Sequence, residues 1–346
     1  VYPHVRLRSW DGGMLTVGEL VAGFEAAIAR GRGVINISLG SPRYSPALAH
    51  AVYAAVNAGS LVVAAAGNDR QLGNPDIFPG SLPHVLTVGA IGRSGAPSSF
   101  SSRSRAVDIA APGEQIVVAV PSFFSSTGYL RGDGTSFAAP IVAGAAAWVW
   151  TERPRLDASQ LFELLRSTAR DVSPLGRDAE TGYGVLDVPA ALAGRAPNRD
   201  PQEPNDDVDL VRPRGVFRTG KAPLLRPRQL VGRLSARLDA TEDGRDVYRI
   251  WLPARARATA LVTGTADVDL AIWSPQARTV LTGGAARKRT LIASSGRSGI
   301  NIERAGVRNR GPVGAYYYVA VSIGRGIPTA SYRLSVSLNR STVAAQ

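Results

Sequence analysis

The sequence predicts an α/β domain built on a parallel sheet, followed by a smaller all-β domain. In the first half of the chain, apolar residues at helical spacing alternate with short, wholly apolar strands, which is the pattern of βαβ units. Beyond residue 213 the apolar residues alternate strictly with polar ones, as in antiparallel strands with one dry face. At 346 residues the chain is long enough to bury two separate cores.

The first domain is expected to span residues 1–194. A helix precedes a predicted strand at 34–39, and a second helix, capped by Ser45, precedes a strand at 61–66. The second strand is apolar on both faces, as expected for a strand between two helix layers. Asp157 and Gln160 form a capping pair for a later helix. Shorter strands are predicted at 85–90, 107–110 and 116–119.

The segment 195–213 is rich in Pro, Asp, Asn and Arg, and it predicts a linker. The second domain is expected to span residues 214–346. Its strand pattern starts near residue 246, and it contains no helical pattern. In its last strand Tyr332, Leu334 and Val336 alternate with polar residues. A small antiparallel β-sandwich is the expected architecture. Five strands are predicted, at 246–252, 258–263, 268–273, 316–321 and 331–338.

The net charge of +13 is unevenly distributed. Residues 1–194 hold 15 arginines and 15 acidic residues, whereas residues 195–346 hold 25 basic and 12 acidic ones. Lysine occurs only at Lys221 and Lys288, so arginine dominates, as GC-rich codon usage would produce. Because the arginines are scattered over predicted strands without a basic run, we expect no nucleic-acid partner.

Two further features of the composition exclude classes of protein. No apolar run reaches the roughly 20 residues that a membrane-spanning helix needs. The chain has no cysteine, which excludes disulfides and thiol chemistry. Neither feature excludes secretion.

A candidate nucleophile lies at Gly134-Thr135-Ser136, where a small and apolar run extends to Trp150. A serine at the start of a buried helix has free backbone N–H groups and the helix dipole beside it. Asn68 follows a buried strand and a glycine, so its side-chain amide can stabilise an oxyanion. Each residue also has a simpler interpretation: Ser136 as a plain helix start, Asn68 as part of a turn.

Other segments occur in the same order as in one known family. They are Ser38-Leu39-Gly40, Phe78-Pro79-Gly80, Phe100-Ser101-Ser102, Ala111-Pro112-Gly113 and Gly182-Tyr183-Gly184. Together with the serine motif and Asn68 they resemble the subtilisin-like serine proteases over about residues 1–193. The resemblance implies that Ser136 is the nucleophile and that Asn68 belongs to the oxyanion hole. It also implies a substrate-binding set of Ser38, Leu39, Gly40, Ala65, Ala66, Gly67, Gly134 and Thr135.

The histidine and aspartate of that family's triad have no match in this sequence. His4, His50 and His84 lack the expected His-Gly-Thr context, and no acidic residue before Val34 fits the aspartate. Because the missing elements are contiguous and N-terminal, we expect an N-terminally incomplete catalytic domain, inactive by itself, whose His and Asp lie upstream.

Residues 200–346 resemble the pre-peptidase C-terminal domain of secreted bacterial proteases. The match rests on Glu203-Pro204-Asn205-Asp206, Asp246-Val247-Tyr248, Asp267-Val268-Asp269-Leu270 and Tyr317-Tyr318-Val319-Ala320-Val321. By resemblance to collagen-binding sandwiches, Glu203, Asn205, Asp206 and Asp246 are candidate calcium ligands. A solvated acidic linker beside ordinary turns is the alternative.

The expected function is a secreted, extracellular bacterial serine endopeptidase that acts as a monomer on protein or peptide substrates. No cofactor is required for the chemistry, and a structural Ca²⁺ is the one candidate ion. Two alternatives remain open. The chain is either a pseudo-protease that binds peptide without cleaving it, or a protein whose β-sandwich binds a cell surface or a protein.

Overall fold

A computed structural model describes residues 15–172, 175–299 and 302–339. The chain divides into two compact units, Val1–Arg199 and Asp200–Gln346. The division falls inside the predicted linker, and much of that linker is packed in the second unit. There Val208–Val211 forms a short helix with three buried side chains. The polar composition of the linker predicts a solvated segment. Two of its acidic residues, Asp200 and Glu203, instead lie beside Asp246 in the acidic cluster described below.

The first unit contains a four-stranded parallel sheet in the order β1-β2-β3-β4. Its strands confirm the predicted parallel α/β fold, and their ranges are β1 (Val34–Ile37), β2 (Leu61–Ala65), β3 (Val85–Ile91) and β4 (Val107–Pro112). A two-stranded hairpin follows, formed by β5 (Ile116–Ala119) and β6 (Tyr129–Gly132). No described helix is long and apolar enough to cross a membrane.

Helices cover both faces of this sheet. One face packs against α1 (Val17–Ala29) and α2 (Pro46–Asn57), through a core that includes Val62, Ala64 and Val85. The other face packs against α3 (Thr135–Glu152) and α4 (Ala158–Ser167), through Val63, Leu86 and Val88. Adjacent residues of a strand face opposite sides, so a wholly apolar strand such as β2 contributes to both cores. The short α5 (Val188–Ala193) completes the unit.

The predicted helix caps are present. The Ser45 hydroxyl accepts a hydrogen bond from the Leu48 N–H at the start of α2. Asp157 and Gln160 form a reciprocal capping box at the start of α4. These side chains satisfy N–H groups that the first turn of a helix leaves without partners.

The second unit contains two four-stranded antiparallel sheets that share one hydrophobic core. The first has the order β11-β10-β13-β8 and the second β12-β9-β14-β7. Their ranges are β7 (Val231–Asp239), β8 (Arg245–Leu252), β9 (Arg257–Gly264), β10 (Val268–Trp273), β11 (Leu291–Ser295), β12 (Ile302–Arg308), β13 (Ala315–Ile323) and β14 (Thr329–Asn339).

All five predicted strands of this region are present, and Tyr332, Leu334 and Val336 are buried as expected. The expectation that no helix interrupts them is wrong. The helix α6 (Val208–Val211) precedes β7, and α7 (Gly284–Thr290) lies between β10 and β11. No residue of α7 is buried, so it has no apolar stripe for a sequence pattern to detect.

Candidate active site

Ser136 is the second residue of α3 and is half-buried. Its backbone N–H has no hydrogen-bond partner within the described part of the chain, as expected in the first turn of a helix. The chain before it is fixed by backbone contacts, since the Gly134 N–H donates to the Gly113 carbonyl at 2.8 Å. A free N–H and the positive end of the helix dipole therefore lie at the serine.

Asn68 lies beside this helix start. Its Oδ1 accepts hydrogen bonds from the Thr135 N–H at 2.9 Å and from the Thr135 hydroxyl at 3.0 Å. Its Nδ2 is close to Gly134, where an added Cβ would lie 3.2 Å from that nitrogen. Gly134 also has a φ of +154°, which other residues rarely adopt. Because Oδ1 is held by Thr135, the amide is oriented with Nδ2 available as a donor.

The turn that carries Asn68 is held from two sides. The Gly67 N–H donates to the Thr135 hydroxyl at 3.2 Å, and the Gly67 carbonyl accepts from the Ser102 N–H at 2.9 Å. The Ser102 hydroxyl in turn accepts from the Asp69 N–H at 3.0 Å. The sequence identified Ser102 only as part of a family segment, because nothing in its local pattern shows that it contacts residue 69.

The residues predicted to bind substrate lie at the carboxyl edge of the sheet. Ser38, Leu39 and Gly40 directly follow the edge strand β1. Their backbone groups make no hydrogen bond to another backbone segment among the described residues. Ala65 and Ala66, at the end of β2, are 4% and 5% exposed. An open backbone edge therefore lies beside a strand that ends in small side chains.

The described histidines are placed away from the start of α3. His50 is exposed on α2, which packs on the sheet face opposite α3. His84 precedes β3 and stacks edge-to-face on Tyr53, at 6.2 Å between ring centroids. It lies at the amino edge of a parallel sheet whose carboxyl edge carries Asn68. A strand of seven residues such as β3 separates these edges by about 23 Å. His4 and Asp11 lie outside the described residues.

A buried ion pair supports the sheet below the site. Asp108 in β4 is fully buried and Arg166 in α4 is 2% exposed, with 3.4 Å between Oδ1 and Nε. Asp108 also accepts from the Thr87 N–H at 2.9 Å. The Arg166 guanidinium stacks over the Tyr183 ring at 4.4 Å and donates to its hydroxyl at 2.7 Å. This network connects the Gly182-Tyr183-Gly184 segment to the sheet.

The model of the subtilase family, Peptidase_S8, matches residues 5–184, just over half of the chain. The chain belongs to the subtilase family. It is 40% identical over 183 residues to subtilisin DY of Bacillus licheniformis and 38% identical over 174 residues to subtilisin E of Bacillus subtilis.

These matches cover only part of the subtilases concerned. They span 52% of this chain and 64% of subtilisin DY, and 50% of this chain and 44% of subtilisin E. Among solved structures, the prenylagaramide maturation protease PagA matches with a TM-score of 0.47 and 30% identity. That match covers 54% of this chain and 70% of PagA.

A separate acidic cluster lies in the second unit. Carboxylate oxygens of Asp200, Glu203 and Asp246 lie within 4.8 Å of one another. Asn205 is fully buried, and neither polar atom of its side chain has a hydrogen-bond partner within the described part of the chain. Burial, together with the neighbouring carboxylates of Asp246, Asp200 and Asp206, raises the pKa of Glu203. Of the four predicted metal ligands, Glu203 and Asp246 are thus close together, and half-buried Asp206 is near enough for its charge to raise the pKa of Glu203.

Two acidic residues of this cluster were absent from the predicted ligand set. Asp200 was counted in the acidic segment but not assigned, because its closeness to Asp246 depends on the fold and not on the local sequence. The Asp243 side chain is buried, and its Oδ1 has no hydrogen-bond partner among the described residues. Burial, together with the charge of Asp246, raises the pKa of Asp243. Asp246 accepts a hydrogen bond from the Tyr332 hydroxyl through Oδ2, which leaves its Oδ1 for another ligand.

Proposed function

We propose that this chain is the C-terminal part of a serine endopeptidase in which Ser136 is the nucleophile. The observation that carries the proposal is the placement of two free donors, the Ser136 N–H and the Asn68 Nδ2, at the start of α3. A serine hydroxyl needs both a base and stabilisation of the oxyanion that forms. In this proposal the two donors meet the second requirement.

The reaction is acyl transfer. Ser136 Oγ attacks the carbonyl carbon of a peptide bond while a base takes its proton, and the carbonyl oxygen becomes an oxyanion held by the two donors. The base then protonates the leaving amine, and water hydrolyses the acyl-enzyme. Because neither His50 nor His84 is placed to act as this base, and His4 lacks the His-Gly-Thr context, we assign it to a histidine upstream of Val1, oriented by an upstream aspartate. The chain of residues 1–346 alone is then expected to have no useful peptidase activity.

Substrate recognition follows from the open edge beside β1. An extended peptide can pair with the backbone of Ser38, Leu39 and Gly40. Ala65, Ala66 and Gly67 then line the site for the residue before the cut. Small residues there leave room for a large apolar side chain, which is the cleavage preference that we propose.

A direct experiment compares two proteins: the 346-residue chain, and an extended protein that also contains the residues encoded upstream of Val1. The extended protein is expected to cleave casein and to react with a fluorophosphonate probe, and Ser136→Ala is expected to abolish both. An upstream sequence without Asp-Ser/Thr-Gly and His-Gly-Thr segments would instead favour the pseudo-protease. A pseudo-protease would bind peptide along residues 38–40 and leave Ser136 unlabelled.

We also propose that the second unit is a β-sandwich accessory domain that holds a structural Ca²⁺. The supporting observation is Asn205, whose buried amide has no partner and lies in the chain segment that carries Glu203. Burying an unbonded amide is costly, and an oxygen-liganded cation would satisfy its Oδ1. Glu203, Asn205, Asp206 and Asp246 would hold the ion together with Asp200.

The calcium proposal is tested by calorimetry on the 346-residue chain after a chelator has removed bound Ca²⁺. Added Ca²⁺ is expected to raise the unfolding temperature of the wild-type protein and to leave Asn205→Leu unchanged. A wild-type unfolding temperature that does not respond to Ca²⁺ would remove the proposal. Secretion and a monomeric state complete the proposed function. Recovery of the protein from the culture medium checks the first, and gel filtration checks the second.

A further inference from the structure

One face of the sheet β12-β9-β14-β7 carries five exposed arginines. Residues of each strand alternate between the shared core and the outer face. In β12, Arg304 and Arg308 are exposed, whereas Ala305 and Val307 are buried. We call the outer face of these four strands the arginine face. Its exposed arginines are Arg233, Arg257, Arg304, Arg308 and Arg333.

The strand register fixes how these arginines are arranged. Arg308 lies directly opposite Arg257, and Arg304 lies opposite Leu261. Arg333 is one step further along, opposite Thr263. With strands about 4.8 Å apart and residues about 3.3 Å apart along them, the five arginines occupy an area of about 15 by 20 Å. Two like charges placed directly opposite each other are destabilising unless something neutralises them.

No acidic side chain of the described chain neutralises these five arginines, since none of them forms an ion pair. Glu303 points to the other side of the sheet and is 1% exposed, bonded to Ser295. Asp239 is buried at the end of β7, where it accepts a hydrogen bond from the Thr241 N–H. Between the arginines the face carries mainly short hydroxyl side chains: Ser235, Ser335, Ser337, Thr259 and Thr263.

A cleft of about 810 Å³ opens at the Arg257 and Arg308 end of this face. Both arginines line it, together with Asn339 and Ser274. Ser274 is 9% exposed, and its hydroxyl has no hydrogen-bond partner among the described residues. A buried hydroxyl without a partner is unfavourable, and a polar ligand in the cleft would satisfy it.

The chemistry of the face distinguishes between possible polyanions. It carries no aromatic side chain on which bases could stack, and no helix or β-ribbon rises from it to enter a groove. An acidic protein would need an apolar or aromatic centre, but the apolar side chains exposed on this face are few, namely Val231, Leu261 and Ile302. Guanidinium groups bind carboxylate and sulfate in pairs of hydrogen bonds, and hydroxyl groups suit sugar hydroxyls.

We propose that the arginine face and its cleft bind an anionic polysaccharide, with Arg257 and Arg308 holding its acidic groups at the cleft. The sequence interpretation of scattered arginines is thereby revised. They are separated along the chain, but the antiparallel register collects them on one surface. This binding function does not depend on Ser136, so it is tested independently of the proposed peptidase activity.

The test measures binding of the 346-residue chain to a chondroitin sulfate decasaccharide by titration calorimetry. A ten-nucleotide single-stranded DNA and a decaglutamate peptide, each of about ten charges, serve as competitors. The test variant is Arg257→Ser/Arg308→Ser. The matched control Arg278→Ser/Arg289→Ser removes two exposed arginines from the segment between β10 and β11, on the other sheet. Circular dichroism confirms that all variants fold.

We expect the test variant to lose about tenfold in affinity and the control less than about twofold. Ser274→Ala is expected to lose about threefold through the cleft alone, and an unchanged affinity would refute the role of the cleft. Equal losses in the two double variants would show unspecific electrostatics and overturn the proposal. So would a chain that does not bind the polysaccharide, or one that prefers the DNA or the decaglutamate.

Discussion

Thr135→Val is the sharpest test of how the oxyanion site is held together. Thr135 is fully buried, and its hydroxyl joins the Gly67 N–H, at 3.2 Å, to Asn68 Oδ1, at 3.0 Å. Valine keeps the shape but leaves the Gly67 N–H without its acceptor. A buried group left unsatisfied costs about 1–3 kcal/mol. For a unit of this size the unfolding temperature should fall by about 2–4 °C per kcal/mol.

Thr135→Ser provides the control, because it keeps the hydroxyl and removes one methyl group, which costs about 0.8 kcal/mol. In the protease extended upstream, Thr135→Val is expected to lower kcat by about tenfold. Asn68 would keep only its hydrogen bond from the residue 135 N–H, so its Nδ2 would be less well oriented. Calorimetry and peptide hydrolysis measure the two effects. If the valine variant matches the serine variant in both stability and kcat, the hydroxyl does not organise this site.

Three further outcomes are expected. Asn68→Ala in the extended protease should lower kcat by a factor of about 10²–10³ with little change in KM, as measured for loss of this donor type in subtilisin itself. An unaltered kcat would exclude Asn68 from the oxyanion site. Arg166→Met should destabilise the first unit by about 3–5 kcal/mol, because the buried Asp108 carboxylate would lose its guanidinium partner. Urea unfolding measures this change. A loss of stability below about 1 kcal/mol would show that the pair contributes little. Ca²⁺ at about 100 times its dissociation constant should stabilise the second unit by about 2.7 kcal/mol, an effect that EGTA reverses and Asn205→Leu lacks.

The sequence predicted the first unit well because its signals are local. Strands buried on both faces, such as β2, are continuous apolar runs, and caps such as Ser45 and Asp157 mark helix starts directly. The same reasoning missed α7, whose seven residues are exposed or half-buried and carry no apolar period. It also predicted a linker across 195–213, in which Val208–Val211 forms a short helix with buried side chains and Asp200 and Glu203 lie beside Asp246.

For the candidate active site, the sequence could name residues but not their contacts. Ser136 and Asn68 were found because each occupies a recognisable position, a helix start and the end of a buried strand. The role of Thr135 as the link between Gly67 and Asn68 could not be read, since these residues are 67 and 68 positions apart from it. The arginine face was missed for the same reason, because strand register determines which exposed residues become neighbours.

The proposed oxyanion site is held together by its own contacts, which explains how it can form although neither described histidine lies near the start of α3. Its parts come from the turn after β2, from Ser102 and from the start of α3, and backbone contacts such as that between Gly134 and Gly113 hold them. None of these contacts requires a histidine. In the proposed protease, the groups that stabilise the oxyanion are therefore structurally separate from the base. Substrate pairing along residues 38–40 can then be measured on this chain even where hydrolysis is absent.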